Sequence, residues 1–443
     1  MVQGFSLFCA MYQSILFLVV TGISVYFFAK NLAKIRRNIL LGKDLDRTDQ
    51  PALRLKTMLK VAFGQTKMTA RPLPAFFHFI VYIGFVLINI EVLEILIDGI
   101  FGTHRVFAGL GPVYNLAIGF FEILAALVTI ACVVFLSRRF IYKVQRLNAP
   151  ELKGFPTKDA AGILIIEIVL MGALLKMNAC DQLLQARNIE HYVHAGSFPV
   201  SQFLVPFFES WSTESLVLME RIYWWFHILG IFAFMNYLPF SKHFHIILAF
   251  PNTYYSNLQP KGEINNMASV TQEVKLMLDP AAATPEGYTP PSSFGVKDVQ
   301  DLTWKNLLDA YSCTECGRCT SMCPQNLTGK KLSPRKIMMD TRDRLEEVGR
   351  NIDKNRSFEP DNKNLHSYIS EEELWACNTC NACVEACPIN INPMEIIVEM
   401  RRYKVMEESA APGSLNSMFS NLENNQAPWQ FSPADRGNWM HEA

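Results

Sequence analysis

The sequence of 443 residues has little charge and no surplus of either sign. Charged residues make up 19% of the chain, 41 basic residues are balanced by 41 acidic ones, and half of all residues are apolar. This composition excludes a disordered chain, which has few apolar residues and unbalanced charge. It also argues against nucleic-acid binding, which needs a basic surplus. No glycine-rich nucleotide-binding motif is found, so we expect the substrate chemistry on a partner.

Charge is missing above all from five long stretches in the first 245 residues. A helix that crosses the ~30 Å hydrocarbon core of a bilayer needs about 20 apolar residues. The stretches predict five transmembrane helices, at about 5–29, 73–97, 110–136, 160–178 and 216–240. A soluble helical core is disfavoured because soluble helices average about 11–12 residues. The first stretch lacks the basic start and the cleavage site of a signal peptide.

The basic residues between these stretches predict the orientation of the chain. Segment 30–73 has 11 basic and 3 acidic residues, and segment 137–160 has 6 and 2. The connections at the other end have a single basic residue each, Arg105 and Arg187. Because basic loops stay in the cytoplasm, we expect the N-terminus outside and everything after Tyr237 inside. The predicted location is the bacterial cytoplasmic membrane, with lipid as a partner.

The second half of the chain is polar and contains a repeated cysteine pattern. Residues 1–245 carry 22 basic and 15 acidic groups, whereas residues 246–443 carry 19 and 26, so the neutral total conceals a boundary. We predict a membrane domain (1–250), a proline-rich linker (251–300), a metal-binding domain (301–408) and a tail (409–443). Eight of the 11 cysteines lie in two strings of the form C-x2-C-x2-C-x3-C-P, one at 313–324 and one at 377–388.

This spacing predicts two [4Fe–4S] clusters. Three thiolates two residues apart can surround one face of a cluster, and in two-cluster ferredoxins the fourth cysteine ligates the other cluster. The predicted ligand sets are Cys313, Cys316, Cys319 with Cys387, and Cys377, Cys380, Cys383 with Cys323. Zinc is the alternative, but structural zinc uses four ligands and does not need two complete strings. Helix-starting signals at Ser333, Ser370 and Asn392 predict helices around the strings, and hence an all-α chain.

Histidines near the ends of the predicted membrane helices are candidate haem ligands, because ionisable groups in a bilayer mark functional sites. His78 and His245 both lie at the inner side, and we predict them as the axial pair of one haem b. His227 lies ~27 Å of helix away from His245, so these two cannot share a haem. It is a candidate for a second haem or for quinone binding. On a continuous helix His243 faces about 160° away, which favours His245.

Two parts of the sequence resemble known families. The stretch from His227 through Leu238-Pro239-Phe240-Ser241-Lys242 to His245 resembles the last helix of the respiratory nitrate reductase gamma subunit. That resemblance implies a five-helix domain with b haems and gives His227 and His245 axial roles. In the second helix only the inner of the two family positions matches, at His78, whereas the outer position holds Ile88.

The half after Asp301 resembles the small iron–sulfur chain of heterodisulfide reductases and the ferredoxin domains of glycolate and glycerol-3-phosphate oxidoreductases. The tail from Asn421 to Trp439 is similar to the segment that leads into cysteine-rich CCG domains in fused relatives. The resemblance implies that a separate CCG-type partner, fed by an electron-transfer flavoprotein, binds this tail.

These features together predict the membrane subunit of a quinone-linked oxidoreductase complex. Electrons are expected to pass between a cytoplasmic partner, two [4Fe–4S] clusters, haem b and menaquinone or ubiquinone. Two alternatives remain open. One is reduction of a disulfide, as in heterodisulfide reductases, and the other is a haem-free membrane anchor or redox sensor that carries ferredoxin clusters.

Overall fold

The computed structural model of this chain describes residues 2–281, 283, 293–430 and 432–441, with side chains from Met11 onward. In this part the regular elements are helices, so the predicted all-α class is confirmed. The α-helices are α1 (Val2–Ile39), α2 (Pro51–Met58), α3 (Pro72–Phe101), α4 (Pro112–Phe140), α5 (Phe155–Ala186), α6 (Thr213–Tyr237), α7 (His245–Tyr254), α8 (Ala268–Leu278), α9 (Trp304–Ser312), α10 (Arg318–Met322), α11 (Pro324–Leu327), α12 (Pro334–Asn355), α13 (Glu371–Ala376), α14 (Ala382–Ala386), α15 (Pro393–Met406) and α16 (Gly413–Asn425).

Five helices of the described chain, α1 and α3 to α6, are long and apolar enough to cross a membrane. They extend beyond most of the charge-free runs that predicted them, because polar turns continue the helix outside the hydrocarbon. The helix α5, for example, has 32 residues, or ~48 Å at 1.5 Å per residue, against the ~30 Å of a bilayer core. Prolines in the first turn start α3, α4 and α5, where the missing N–H costs no hydrogen bond.

The polar end of α1 packs against the ferredoxin half of the chain. Lys34 pairs with Asp353 of α12 at 2.9 Å, and Asn38 donates to the hydroxyl of Tyr311 at 2.9 Å. At Gly349 a Cβ would lie within 3 Å of the Asn38 side chain, so a larger residue would displace the Asn38 amide from its hydrogen bond with Tyr311. The last turns of α1 therefore pack against the ferredoxin half, which explains why the helix continues to Ile39.

The chain after α6 breaks, and the assumption of one continuous helix from His227 to His245 is wrong. The helix gives way to a 3-10 turn at Leu238–Phe240, and Ser241 is extended. The carboxylate of Asp159 on α5 accepts from Tyr237 at 2.6 Å and from Ser241 at 2.7 Å, which holds this break in place. The helix α7 then begins at His245 itself. Helical periodicity consequently says nothing about the relative directions of His227, His243 and His245.

One hydrophobic core joins the two halves of the described chain. It contains membrane-helix residues such as Phe234 and Leu238 together with ferredoxin-half residues such as Leu307 and Ile337. The segment predicted as a linker contains the end of α7 and the helix α8, while its proline-rich part, residues 284–292, lies outside the described residues. The domain boundaries themselves stay predictions.

Candidate metal centres

The eight cysteines of the two strings line two neighbouring cavities. The first cavity is lined by Cys313, Cys316 and Cys319 of the first string and by Cys387, the last cysteine of the second string. The second cavity is lined by Cys377, Cys380 and Cys383 of the second string and by Cys323, the last cysteine of the first. Cys383 lines both cavities. The structure thus places the four cysteines of each predicted set on a common cavity, and Cys383 also reaches the other cavity.

The two strings share one backbone path, which explains how a short segment surrounds a cavity. In each string the residue before the second cysteine and the residue after it are left-handed: Glu315 and Gly317 in the first, Thr379 and Asn381 in the second. Short helices follow, α10 and α14, and the fourth cysteine of each string is the extended residue that ends them. The two left-handed residues turn the chain so that its first three cysteines line one cavity. The short helix places the fourth cysteine at the other cavity.

The chemistry of the cavities fits iron–sulfur clusters. Burial raises the pKa of the Cys313 thiol to about 12 and that of Cys387 to about 11, so neither is a thiolate at neutral pH by itself. A bound metal deprotonates its thiol ligands outright. Backbone N–H groups also point at the sulfurs: Thr379 donates to Cys377 at 3.4 Å and Ile391 donates to Cys387 at 3.3 Å. Such hydrogen bonds stabilise thiolates and help set cluster potentials.

The two cavities differ in their access to solvent. Cys380 in the second cavity is exposed, whereas Cys313 and Cys387 in the first are buried. The first string is covered by loops of the membrane domain: Arg146 donates to the carbonyl of Cys316, and Arg71 donates to Ser321 at 2.7 Å. The second cavity therefore has one cysteine on the surface, whereas the first string contacts loops between the membrane helices.

Three histidines lie together at this junction, and we call His78, His243 and His245 the histidine cluster. The rings of His243 and His245 are 5.4 Å apart and nearly perpendicular. His78, near the start of α3, lies within electrostatic range of both. Arg318, which lines the first cavity, is within the same range of His78. The structure therefore brings the predicted pair His78 and His245 together, beside the first cavity.

The predicted histidines are held by hydrogen bonds through Nδ1. His78 bonds Gln65 Oε1 at 3.1 Å, His245 bonds the Lys242 carbonyl at 3.1 Å, and His227 bonds the Leu170 carbonyl at 3.0 Å. A metal-binding histidine commonly donates its other ring N–H to such an oxygen, which leaves Nε2 for the metal. These residues thus fit axial haem ligation in their donor chemistry. His227 is fully buried between α5 and α6 and is not part of the histidine cluster.

Two features of the site have little or no signal in the sequence. Helical periodicity argues against His243, yet the break after α6 places it in the histidine cluster. The anchoring residue Glu315, inside the first string, accepts from Lys242 and from Arg342 at 2.9 Å. Burial alone would raise the pKa of Glu315, but these two cations hold it below its ordinary value. Only the basic residue in the Pro-Phe-Ser-Lys turn signals an acidic partner.

Comparisons with known proteins agree with an iron–sulfur protein. Residues 312–391 match the family model of the 4Fe-4S dicluster domain. The chain is 27% identical, over 97% of its length, to the probable iron-sulfur-binding oxidoreductase FadF of Bacillus subtilis. It is 28% identical, over 91% of its length, to the EtfAB:quinone oxidoreductase of Syntrophomonas wolfei. The chain spans 61% and 56% of these two relatives.

The ferredoxin half has further relatives of its own. It is 35% identical over 106 residues to one of the subunits of the ferredoxin/F(420)H(2)-dependent CoB-CoM heterodisulfide reductase of Methanosarcina acetivorans, which is 24% of this chain and 52% of that protein. No solved structure matches the chain. The relatives are thus iron–sulfur oxidoreductases or subunits of their complexes, which supports an electron-transfer role.

Proposed function

We propose that this chain is the membrane electron-transfer subunit of a quinone-linked oxidoreductase complex. The observation that carries the proposal is the order of the sites. The second cavity has the exposed cysteine Cys380 at the surface, and the first cavity adjoins the second. The histidine cluster at the membrane helices lies beside the first cavity. Such a row connects a soluble electron donor with the bilayer, where quinones are dissolved.

The cofactors assigned to this row are two [4Fe–4S] clusters and one haem b. Cys313, Cys316, Cys319 and Cys387 would hold one cluster, Cys377, Cys380, Cys383 and Cys323 the other, and His78 with His245 the haem. When bound, these groups accept and release single electrons, the chemistry that connects a donor to a two-electron quinone. His227 remains a candidate for a second haem or for quinone binding.

Buried residues of the first string exclude water from the region between the first cavity and the membrane domain. They also fix the position of the first string relative to the membrane helices. Glu315 is 4% exposed and Arg318 is 5% exposed, and both lie between the first cavity and the membrane domain. Arg318 donates to the carbonyl of Lys67 at 3.1 Å, which ties the first string to the loop before α3. A buried cation next to a cluster favours its more negative, reduced state.

The expected partner binds at the second cavity and the tail. Trp429 and Trp439 of the tail are exposed, at 56% and 73%. By resemblance the partner is a CCG-type iron–sulfur subunit, fed by an electron-transfer flavoprotein, and the name of the Syntrophomonas relative supports a flavoprotein donor. The basic residues at the ferredoxin-facing helix ends support a cytoplasmic ferredoxin half and an outside N-terminus.

A second candidate function is disulfide reduction, which the likeness of the ferredoxin half to part of a heterodisulfide reductase favours. Spectra and electron transfer of the full-length protein in detergent distinguish the candidates. We expect iron for two clusters, reduced b-type absorption bands, and reoxidation of the reduced protein by a menaquinone or ubiquinone analogue. Clusters without b-type bands would indicate the haem-free anchor. Reoxidation by a disulfide but by neither quinone would favour the second candidate.

A further inference from the structure

A buried polar network lies at the distal end of the membrane domain, which we define as the end with loops 102–111 and 187–212, away from the ferredoxin half. Arg105 is its centre. The guanidinium donates to Asp181 at 2.7 Å, to Asn178 at 3.0 Å and to the hydroxyl of Tyr114 at 3.1 Å. All four residues are buried. Buried ionisable side chains are costly in a membrane protein and point to a function.

Two carboxylates of the network have a clear structural task. Glu94 accepts from the backbone N–H of Phe107 at 2.9 Å and from Tyr114 at 2.8 Å. Glu122 accepts from the backbone N–H of Ser201 at 3.1 Å and from Asn178 at 3.0 Å. Each therefore anchors one of the two distal loops to a membrane helix, and its place is explained by backbone hydrogen bonds alone.

Glu91 has no such task. It is 5% exposed, and no hydrogen bond of its carboxyl is found among the described residues. Arg105, Glu94 and Glu122 lie within electrostatic range of its carboxyl, so Glu91 adjoins the network. Glu91 lies ten residues before the end of α3, or ~15 Å inside the helix. A buried carboxyl without a hydrogen bond is costly, and Glu91 does not anchor a loop or cap a helix end.

The network connects the neighbourhood of Glu91 with the distal surface. Asp181 contacts His104 Nε2 at 3.3 Å, and the His104 ring lies 5.6 Å from that of His191, which is exposed. On the opposite face of α3, Ile90 and Leu93 are about half exposed and so face lipid. Glu91 thus lies on the inner face of a lipid-contacting helix, beside a polar path to water.

We propose that Glu91 is the proton-transfer group of a quinone site that opens to the distal side. This inference rests on the proposed function and adds to it the side on which protons move. Reduction of a quinone to a quinol takes up two electrons and two protons. The electrons come from the donor on the ferredoxin side, and the protons come from the distal aqueous phase through Glu91. In the reverse direction the quinol releases two electrons and two protons along the same routes.

The test uses the full-length protein in proteoliposomes with a menaquinone analogue. Glu91→Gln removes the exchangeable proton and keeps the side-chain shape. We expect quinone-linked turnover to fall about tenfold or more, while iron content, optical spectrum and chemical reduction stay as in the wild type. Redox-induced infrared difference spectra should contain a carboxyl C=O band that Glu91→Gln lacks. Glu190→Gln, which removes an exposed carboxylate of a distal loop, should behave as the wild type.

The outcomes separate this inference from the proposed function. Suppose that the wild-type protein turns over with quinone and that Glu91→Gln has normal turnover and an unchanged infrared band. This result overturns the role of Glu91 alone. A wild-type protein that carries its cofactors but never reacts with quinone overturns the proposed function and this inference with it. Glu91→Asp, which keeps a carboxyl on a shorter stem, provides a second variant should Glu91→Gln fail to fold. It should retain the infrared band and turn over faster than any variant without a carboxyl.

Discussion

Lys242 donates a hydrogen bond to the carboxylate of Glu315, and this contact joins the membrane half of the chain to its cysteine strings. Lys242 lies in the turn after α6, three residues before His245, and Glu315 lies between Cys313 and Cys316. The two side chains are 10% and 3% exposed. Because an unpaired buried charge is costly, the pair holds the first cavity at a defined distance from the histidine cluster.

Removing one partner of this pair should loosen the junction. In Lys242→Gln the carboxylate of Glu315 keeps Arg342 but loses its other buried cation. We expect the free energy of unfolding to fall by about 2 kcal/mol in Lys242→Gln and in Glu315→Gln. The double variant should lose less than both single losses together, because the residues interact directly. Thermal unfolding of the full-length protein in detergent gives all four values.

The matched control is the exposed pair of Lys261 and Glu385. Its side chains are 63% and 57% exposed, and exposed pairs contribute little. Lys261→Gln should therefore unfold at the wild-type temperature. If Lys242→Gln also unfolds at that temperature, the contact with Glu315 does not hold the two halves together.

The exchange of cysteines between the two strings makes a specific spectroscopic prediction. Cys387 belongs to the second string in sequence but lines the first cavity. Cys387→Ser should therefore alter the same electron paramagnetic resonance signal as Cys316→Ser, and Cys323→Ser the same signal as Cys377→Ser. As a control, Cys132→Ser changes a buried membrane cysteine that lines neither cavity, and both signals should stay. Should Cys387→Ser and Cys377→Ser instead affect one common signal, each string binds its own cluster.

The turn geometry of the strings predicts that substitutions at two equivalent positions, Gly317 and Asn381, affect the iron content differently. Gly317 and Asn381 both follow the second cysteine and have φ of 69° and 59°. A Cβ at Gly317 would collide with the guanidinium of Arg335 and lie 3.0 Å from the carbonyl oxygen of Arg146. Gly317→Ala should thus lower the iron content from about eight toward about four atoms per chain. Asn381→Gly should leave it unchanged, because glycine adopts this conformation freely.

Two other results would contradict the role of backbone conformation at Gly317. Equal iron loss in both variants would mean that side-chain contacts of Asn381 matter as much as backbone conformation. Full iron content in Gly317→Ala would mean that Arg335 and the loop with Arg146 move aside without cost, and that the membrane loop does not brace the first string.

The parts of this molecule that could be predicted from sequence are those with a local signal. The five membrane helices follow from charge-free runs, and the cysteine grouping follows from spacing within two short strings. The place of His243 has no such signal, because it depends on the break after Phe240, which Asp159 holds from 82 residues away in sequence. The contact of Lys242 with Glu315 spans 73 residues, and the network around Arg105 joins three membrane helices. Tertiary contacts of this kind leave no periodic pattern.

The histidine cluster yields a prediction that distinguishes its members. His78 and His245 each use Nδ1 in a hydrogen bond, which orients Nε2 as metal ligands require. The His243 ring packs against the Phe234 ring, with the centroids 5.5 Å apart and the planes tilted by 44°, and no hydrogen bond of its ring nitrogens is found among the described residues. We therefore expect His78→Ala and His245→Ala to lose the b-type absorption bands of the inner haem and His243→Ala to keep them. All three variants should retain both iron–sulfur signals, since the cysteines are untouched. Bands that survive in His245→Ala and vanish in His243→Ala would assign the ligand to His243, and bands present in all three would remove the haem from this junction.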